Sequence, residues 1–306
     1  MATRGKSINL FLMDGDPSGR IKCTLATWTG VAYKIPRTEL DKCKGRDDLS
    51  QSGVYFLFGT SDETGESVVY IGQAGVRKNG EGILTRLQEH KRNTDKDYWT
   101  EAVVFTTSNN SFGPTEISYL ENKFTNLALA AKRYVIKNGN DPTLGNITEE
   151  KESELEEFLD YAKIIMGTLG HKVFESLTEV KPIVETNIGD DLNIADVILY
   201  LNRNNDNHEN KIRAIGKRSN EGFIVLKESV ISNTEAPSTP KKAKEEREKA
   251  KASNFVVDNV LQRDILFKSP STAAAFVVGG SVNGMTEWKI DDGKTLKDIE
   301  NSEGTG

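Results

Sequence analysis

Two tyrosines stand beside glycines on short apolar runs. Tyr55 lies in GVYFLFG, residues 53–59, and Tyr70 in VVYIGQAG, residues 68–75. The segment GEGILTRLQEHKRN carries Arg86 and His90 four residues apart, which puts them on one face of a helix whose buried side is marked by Ile83, Leu84 and Leu87. Between residues 76 and 92 five basic residues (Arg77, Lys78, Arg86, Lys91, Arg92) stand against two acidic ones, Glu81 and Glu89. The run PTEISYLENKFTNLALA then holds Glu116 and Glu121 on opposite sides of an apolar stripe of Ile117, Leu120, Phe124, Leu127 and Ala128. The two carboxylates are about 140° apart around the helix. Each residue has a plain structural reading: tyrosine is a good strand residue, and a charged helix face is ordinarily solvated. Together they suit phosphodiester cleavage, which needs a base for water, a cation at the phosphate and relief of charge on the leaving oxygen. Free tyrosine has a pKa of about 10, so a cation must favour phenolate character, and Arg86, His90 and Lys78 could supply that field.

The elements that must hold these groups are legible in outline. Strands are expected at 54–58, 67–71 and 101–106, with TSDETGE as the turn between the first two. Helices are expected near 81–93 and 115–133, the second ended by NGNDPTLG. Residues 6–36 read as short strands with a hairpin break at Asp-Gly-Asp-Pro-Ser-Gly, and IPRTELDKCKGRDDL as a short helix or loop. A helix over 148–170 has Thr148 as its N-cap and Leu155, Phe158, Leu159, Ala162, Ile165 and Met166 at helical spacing. Ser219 to Gly222 read as a hairpin turn. Residues 233–253 read as a charged linker or solvated helix, with six basic and three acidic residues from Lys241 to Lys251. In the tail Ser269 is an expected N-cap with Pro270 at the first helical position, and Trp288 falls on an expected strand between turns.

The whole chain sets bounds. A length of 306 residues is a prior for two domains. Hydrophobic residues are 36% and charged residues 28%, as in a globular protein. A formal charge of -6 argues against a basic nucleic-acid coat protein, so any such contact must be local. Cys23 and Cys43 have no metal-ligand or CxxC spacing, which points to a reducing cytoplasm and against a cysteine-bound zinc. The apolar run at 8–13 is too short for a signal h-region or a membrane span.

GVY at 53–55, YIG at 70–72, Arg86 with His90, and LEN at 120–122 resemble, in order and chemistry, the motifs of the GIY-YIG endonuclease family. TEISYLEN is also similar to the helix of the excinuclease subunit in bacterial nucleotide excision repair. There the later glutamate binds metal, which carries the metal role to Glu121 rather than Glu116. The flanking segments LFLMDGDPSG…TGVAYKIPR and SPSTAAAFVVGGSVNGMTEWKIDDGKTLKDI resemble a bacterial subgroup in which a C-terminal domain of unknown function follows the nuclease core. Such tails occur beside DNA-modification genes, an association with restriction, defence or mobile elements.

The resemblance implies an α+β fold: a small antiparallel three-stranded sheet flanked by helices, with an N-terminal β-rich extension and a small C-terminal α+β module. The corresponding divisions are 1–50, the core at 51–147, a helix plus hairpin region at 148–232, the linker at 233–253 and the module at 254–306. It implies a metal-dependent DNA endonuclease of the cytoplasm with no membrane partner. Tyr55, Tyr70, Arg86, His90 and Glu121 would be catalytic, one tyrosine being the general base. Glu121 would hold Mg²⁺, with Mn²⁺ as a substitute, and Arg77, Lys78, Lys91, Arg92 and Asn138 would contact substrate. The family's late asparagine falls on Asn138 or Asn140, with Asn126 still open. Where the family often has a basic residue after YIG this chain has Gln73, and the loop before Arg86 is long. The other readings are a non-catalytic DNA- or partner-binding protein that keeps the fold, and an RNA nuclease.

Overall fold

The structure is a computed structural model that describes residues 4–76, 81–139, 146–177, 197–203 and 211–303. The chain divides into two units, residues 1–176 and 177–306.

The first unit is built on one seven-stranded sheet. Its strands are β1 (Ile8–Leu12), β2 (Ile21–Leu25), β3 (Gly30–Pro36), β4 (Gly53–Thr60), β5 (Ser67–Ala74), β6 (Trp99–Thr107) and β7 (Val135–Ile136), in the order β1-β2-β3-β6-β4-β5-β7. Every pairing is antiparallel except β5 with β7. The expected three-stranded sheet is therefore the inner part of a larger one. β3 pairs with β6 along Gly30↔Thr107 to Pro36↔Glu101, so the N-terminal strands extend the same sheet rather than form a separate layer.

β4 is apolar almost throughout because it is covered on both faces. Val54, Phe56 and Phe58 pack with α2 (Pro114–Ala131) and α3 (Glu149–Thr168) through Leu120, Phe124, Phe158 and Leu159. Tyr55 and Leu57 point the other way, to Ile83 and Leu87 of α1 (Ile83–Arg92) and to Leu40 and Leu49 of the 3₁₀ turns after β3. The β4–β5 hairpin turns through Gly65, whose φ of 67° is the left-handed conformation glycine tolerates best. α3 is capped as its sequence predicts: the Thr148 side chain accepts from Lys151 N–H at 3.4 Å, and its six expected apolar residues are all buried. Its stripe belongs to the core of the first unit, so the division falls after α3 and not at residue 147.

The second unit holds a four-stranded antiparallel sheet, order β13-β10-β9-β8, from β8 (Ile198–Arg203), β9 (Ile212–Ser219), β10 (Gly222–Val225) and β13 (Ile265–Phe267). The short pair β11 (Val256–Val257) and β12 (Val260–Leu261) lies between. Helices α4 (Lys241–Ala252), α5 (Pro270–Val278), α6 (Gly284–Glu287) and α7 (Leu296–Glu303) complete it. The expected hairpin at Ser219–Gly222 joins β9 to β10, and Ser269 caps α5 by accepting from Thr272 N–H at 3.2 Å.

Two expectations change here. Residues 233–253 are not a linker between modules: 241–252 form α4, and Ala243, Arg247 and Ala250 are buried within this unit. The fully buried Arg247 guanidinium donates to the carbonyls of Phe276, Ser232 and Thr234, the last two at 2.6 and 3.2 Å. A stripe of two alanines and an arginine leaves no apolar signature, so charge counting reads the helix as solvated. Trp288 is not on a strand. It follows α6, fully buried against Phe223, with its indole N–H donating to Pro270 O at 3.1 Å.

Candidate active site

The antiparallel register of β4 and β5 sets the two tyrosines. Tyr55 pairs with Gly72 and Leu57 with Tyr70, so both phenols project from the same sheet face on a diagonal. Their ring centroids are 6.3 Å apart. Gly72 is required by that diagonal. A Cβ there would sit 2.6 Å from Tyr55 Cζ and 2.9 Å from Tyr70 Cε1, inside any normal contact.

α1 crosses this face and brings His90 to both rings, at 5.4 Å from Tyr55 and 5.3 Å from Tyr70 between centroids. The Tyr55 hydroxyl and His90 Nε2 are 2.7 Å apart. Burial, followed by the cations of Lys96 and Arg86, pushes His90 down to about 4, so the imidazole is neutral near pH 7 and can accept the phenol proton at Nε2. Tyr55 is 1% exposed, and burial pushes its phenol far above the usual tyrosine range, against the pull of Arg86. Tyr70 is half-buried, and its hydroxyl makes no hydrogen bond among the described residues.

Arg86 lies one turn before His90. Its Nη1 donates to Glu89 Oε2 at 2.8 Å, and that bond, more than any other neighbour, holds the guanidinium charged. Glu121 approaches from α2, on the other side of β5. Gln73, which pairs with Val54 and so faces α2, donates from Nε2 to Glu121 Oε2 at 2.9 Å and to Ser118 Oγ at 3.1 Å. The Gln73 amide is the one side chain that donates to Glu121 among the described residues. Burial raises the Glu121 carboxyl; the Gln73 side chain, the Gln73 backbone N–H and Arg86 oppose that rise. Glu121 in turn acts electrostatically on Tyr55 from the other side of β5, the weakest of the influences on that phenol. Glu116 turns back on its own helix and accepts from Gly113 N–H at 3.0 Å.

The other expected residues are placed differently. Lys91 pairs with Asp41 at 2.8 Å, and Arg92 is exposed at the end of α1. Asn138 acts as an extra rung beyond β7. Its Oδ1 accepts from Ile71 N–H at 3.0 Å, and its Nδ2 donates to Ile71 O at 2.7 Å. Asn126 is exposed on α2 and donates to Asn122. Arg77, Lys78 and Asn140 lie outside the described residues.

Three contributors are not among the expected site residues. Lys96, in the polar stretch NTDKDYW, places its ammonium 3.3 Å from the Tyr70 ring centroid. Arg37, the first residue of the 3₁₀ turn after β3, stacks on Trp99 and donates to the carbonyls of Lys91, Asp97 and Trp99 at 3.2, 3.0 and 3.1 Å. Gln73 orients Glu121. None lies on a periodic stripe, and their roles arise only when distant segments meet.

Among the described residues no group of three or more His, Cys, Asp or Glu side chains could hold a metal. Glu121 is a hard oxygen ligand of the kind a divalent cation takes, with one oxygen oriented by Gln73. No described helix is long and apolar enough to cross a membrane. Residues 205–300, within the second unit, match a family model described as a domain of unknown function (DUF4357). Neither a curated protein nor a solved structure matches the chain.

Proposed function

We propose that the first unit is a metal-dependent nuclease of the GIY-YIG type acting on DNA. The observation that carries this reading is the convergence of Tyr55, Tyr70, Arg86 and His90 on one sheet face, with Glu121 on the other side of β5. These groups come from two strands and two helices, and core packing alone does not call for a phenol, an imidazole and a guanidinium to meet there.

Roles follow from burial and partners. Tyr70 is the better general base, because its hydroxyl is uncommitted while that of Tyr55 is sealed against His90. Tyr55 and His90 form a neutral wall that fixes the orientation of the second ring. Arg86, about 40% exposed, offers a planar fork to a phosphate oxygen. Glu121 would hold the divalent cation, which when bound offsets charge on the phosphate and the leaving oxygen. Gln73 keeps that carboxylate aimed. The second unit has no comparable set of acid, base and metal ligand among its described residues, which favours a recognition role for it.

The test is incubation of purified protein with plasmid, single-stranded DNA and RNA, in Mg²⁺, Mn²⁺ or EDTA. Metal-dependent cleavage of DNA is expected. Binding without cleavage of any substrate would select the non-catalytic reading, and cleavage confined to RNA would move the substrate class.

A further inference from the structure

In the nuclease reading the position after YIG is filled by an uncharged residue, Gln73, which is occupied with Glu121 and Ser118. The face around Tyr70 nevertheless holds a cation. Lys96 projects over the Tyr70 ring at 3.3 Å from its centroid, half-buried, and pairs with no carboxylate among the described residues. That is an unusual place for a lysine. An ammonium taken partly out of water without an acid partner costs free energy, and burial together with Arg86 lowers it to about 8. The segment is not free to swing away. Arg37 donates to the carbonyls of Asp97 and Trp99 at 3.0 and 3.1 Å and more distantly, at 3.4 Å, to that of Lys96, while its guanidinium stacks on Trp99.

Among the described residues the groups facing this pair are few. Arg86 and His90 come from α1, Tyr55 from β4 and Tyr98 from the residue just before β6. His90 is neutral, both other rings are phenols, and Arg86 is paired with Glu89. Among the described residues Lys96 is thus the unpaired cation nearest the base.

We infer that Lys96 is a positioning residue for Tyr70, its fixed ammonium neutralising the charge the phenolate carries when it serves as general base. The inference rests on the nuclease reading. In the step concerned the Tyr70 phenolate takes a proton from water. The water oxygen forms a bond to phosphorus, the bond from phosphorus to the leaving oxygen breaks, and that oxygen takes a proton from solvent. Lys96 acts through the ring and does not touch the phosphate.

The experiment compares wild type, Lys96→Met and Lys96→Arg in full-length protein. Lys96→Met is expected to lower kcat at least tenfold and leave KM within about twofold, as for a group acting only on the chemical step. Affinity for an oligonucleotide in EDTA should be unchanged. Lys96→Arg should recover most of the rate, which separates charge from packing. An unchanged kcat in Lys96→Met overturns the inference, as does a rise in KM matched by lost affinity, which would make Lys96 a phosphate contact. A second measurement needs no turnover: acylation of Lys96 by an amine-reactive reagent across pH in wild type. A midpoint near 8 is expected, against 10.5 for an ordinary lysine, and a midpoint near 10.5 removes the ammonium from the ring. A wild type that cleaves nothing sinks the nuclease reading as a whole. A wild type that cleaves while Lys96→Met matches it sinks only the role of Lys96.

Discussion

The Tyr55 hydroxyl and His90 Nε2 lie 2.7 Å apart in a pocket that water barely reaches. The pair joins the central strand to the helix that carries Arg86, so the geometry of the site depends on an uncharged imidazole. His90 is lowered from 6.5 to about 4, which means the folded protein binds this proton more weakly than the unfolded chain. Its contribution to stability is complete above pH 6.5 and is lost as pH falls through 4. Urea unfolding across that window should show stability falling with acid, with a slope of up to about 1.4 kcal/mol per pH unit from this group. His90→Gln should reduce the slope, and an identical slope in that variant would remove His90 from the acid transition.

Glu121→Ala should reduce metal-dependent cleavage on the order of a hundredfold or more while leaving folding and nucleic-acid binding in EDTA largely intact. Gln73→Ala should give a smaller loss that added metal partly restores, because the ligand remains and only its aim is loosened. Cleavage of plasmid at the normal rate by Glu121→Ala would place the metal elsewhere.

Arg86→Ala should also cost on the order of a hundredfold in rate. Its pairing with Glu89 adds a second readout: Glu89→Gln frees the guanidinium and should affect kcat far less than loss of the arginine. A full rate in Arg86→Ala would transfer the phosphate contact to Arg77 or Lys78.

Gly72→Ala places a methyl against both tyrosine rings. Overpacking of this kind costs about 1–3 kcal/mol. The variant should unfold at lower urea and lose activity beyond its loss of stability, since the strain falls on the phenols themselves. Wild-type urea midpoint and rate together would show that the rings move aside freely.

Arg247→Ala would leave the carbonyls of Ser232, Thr234 and Phe276 without their donor. The cost should be about 3 kcal/mol or more, felt in the second unit. Limited proteolysis should spare α4 in the wild type and cut within 241–252 in the variant. Ready cleavage of α4 in the wild type would restore the reading of this stretch as a linker.

Local pattern was enough for much of this protein. Short apolar, β-prone runs at 53–59 and 67–74 with a turn between them put Tyr55 and Tyr70 on one hairpin. Four-residue spacing puts Arg86 beside His90, and capping chemistry starts the helices at Thr148 and Ser269. These features depend on residues within a turn or two of one another, where backbone geometry leaves little choice. The tertiary structure decided what distant segments do to that hairpin. It set β3 beside β6, making seven strands of an expected three, and drew α3 into the first core. It also brought Arg37 and Lys96 to the tyrosine face, joined Asn138 to Ile71, and buried Arg247 among carbonyls. A lone polar side chain in an irregular segment carries no period, and its role depends on which unpaired backbone group or ring lies opposite after the chain has closed on itself.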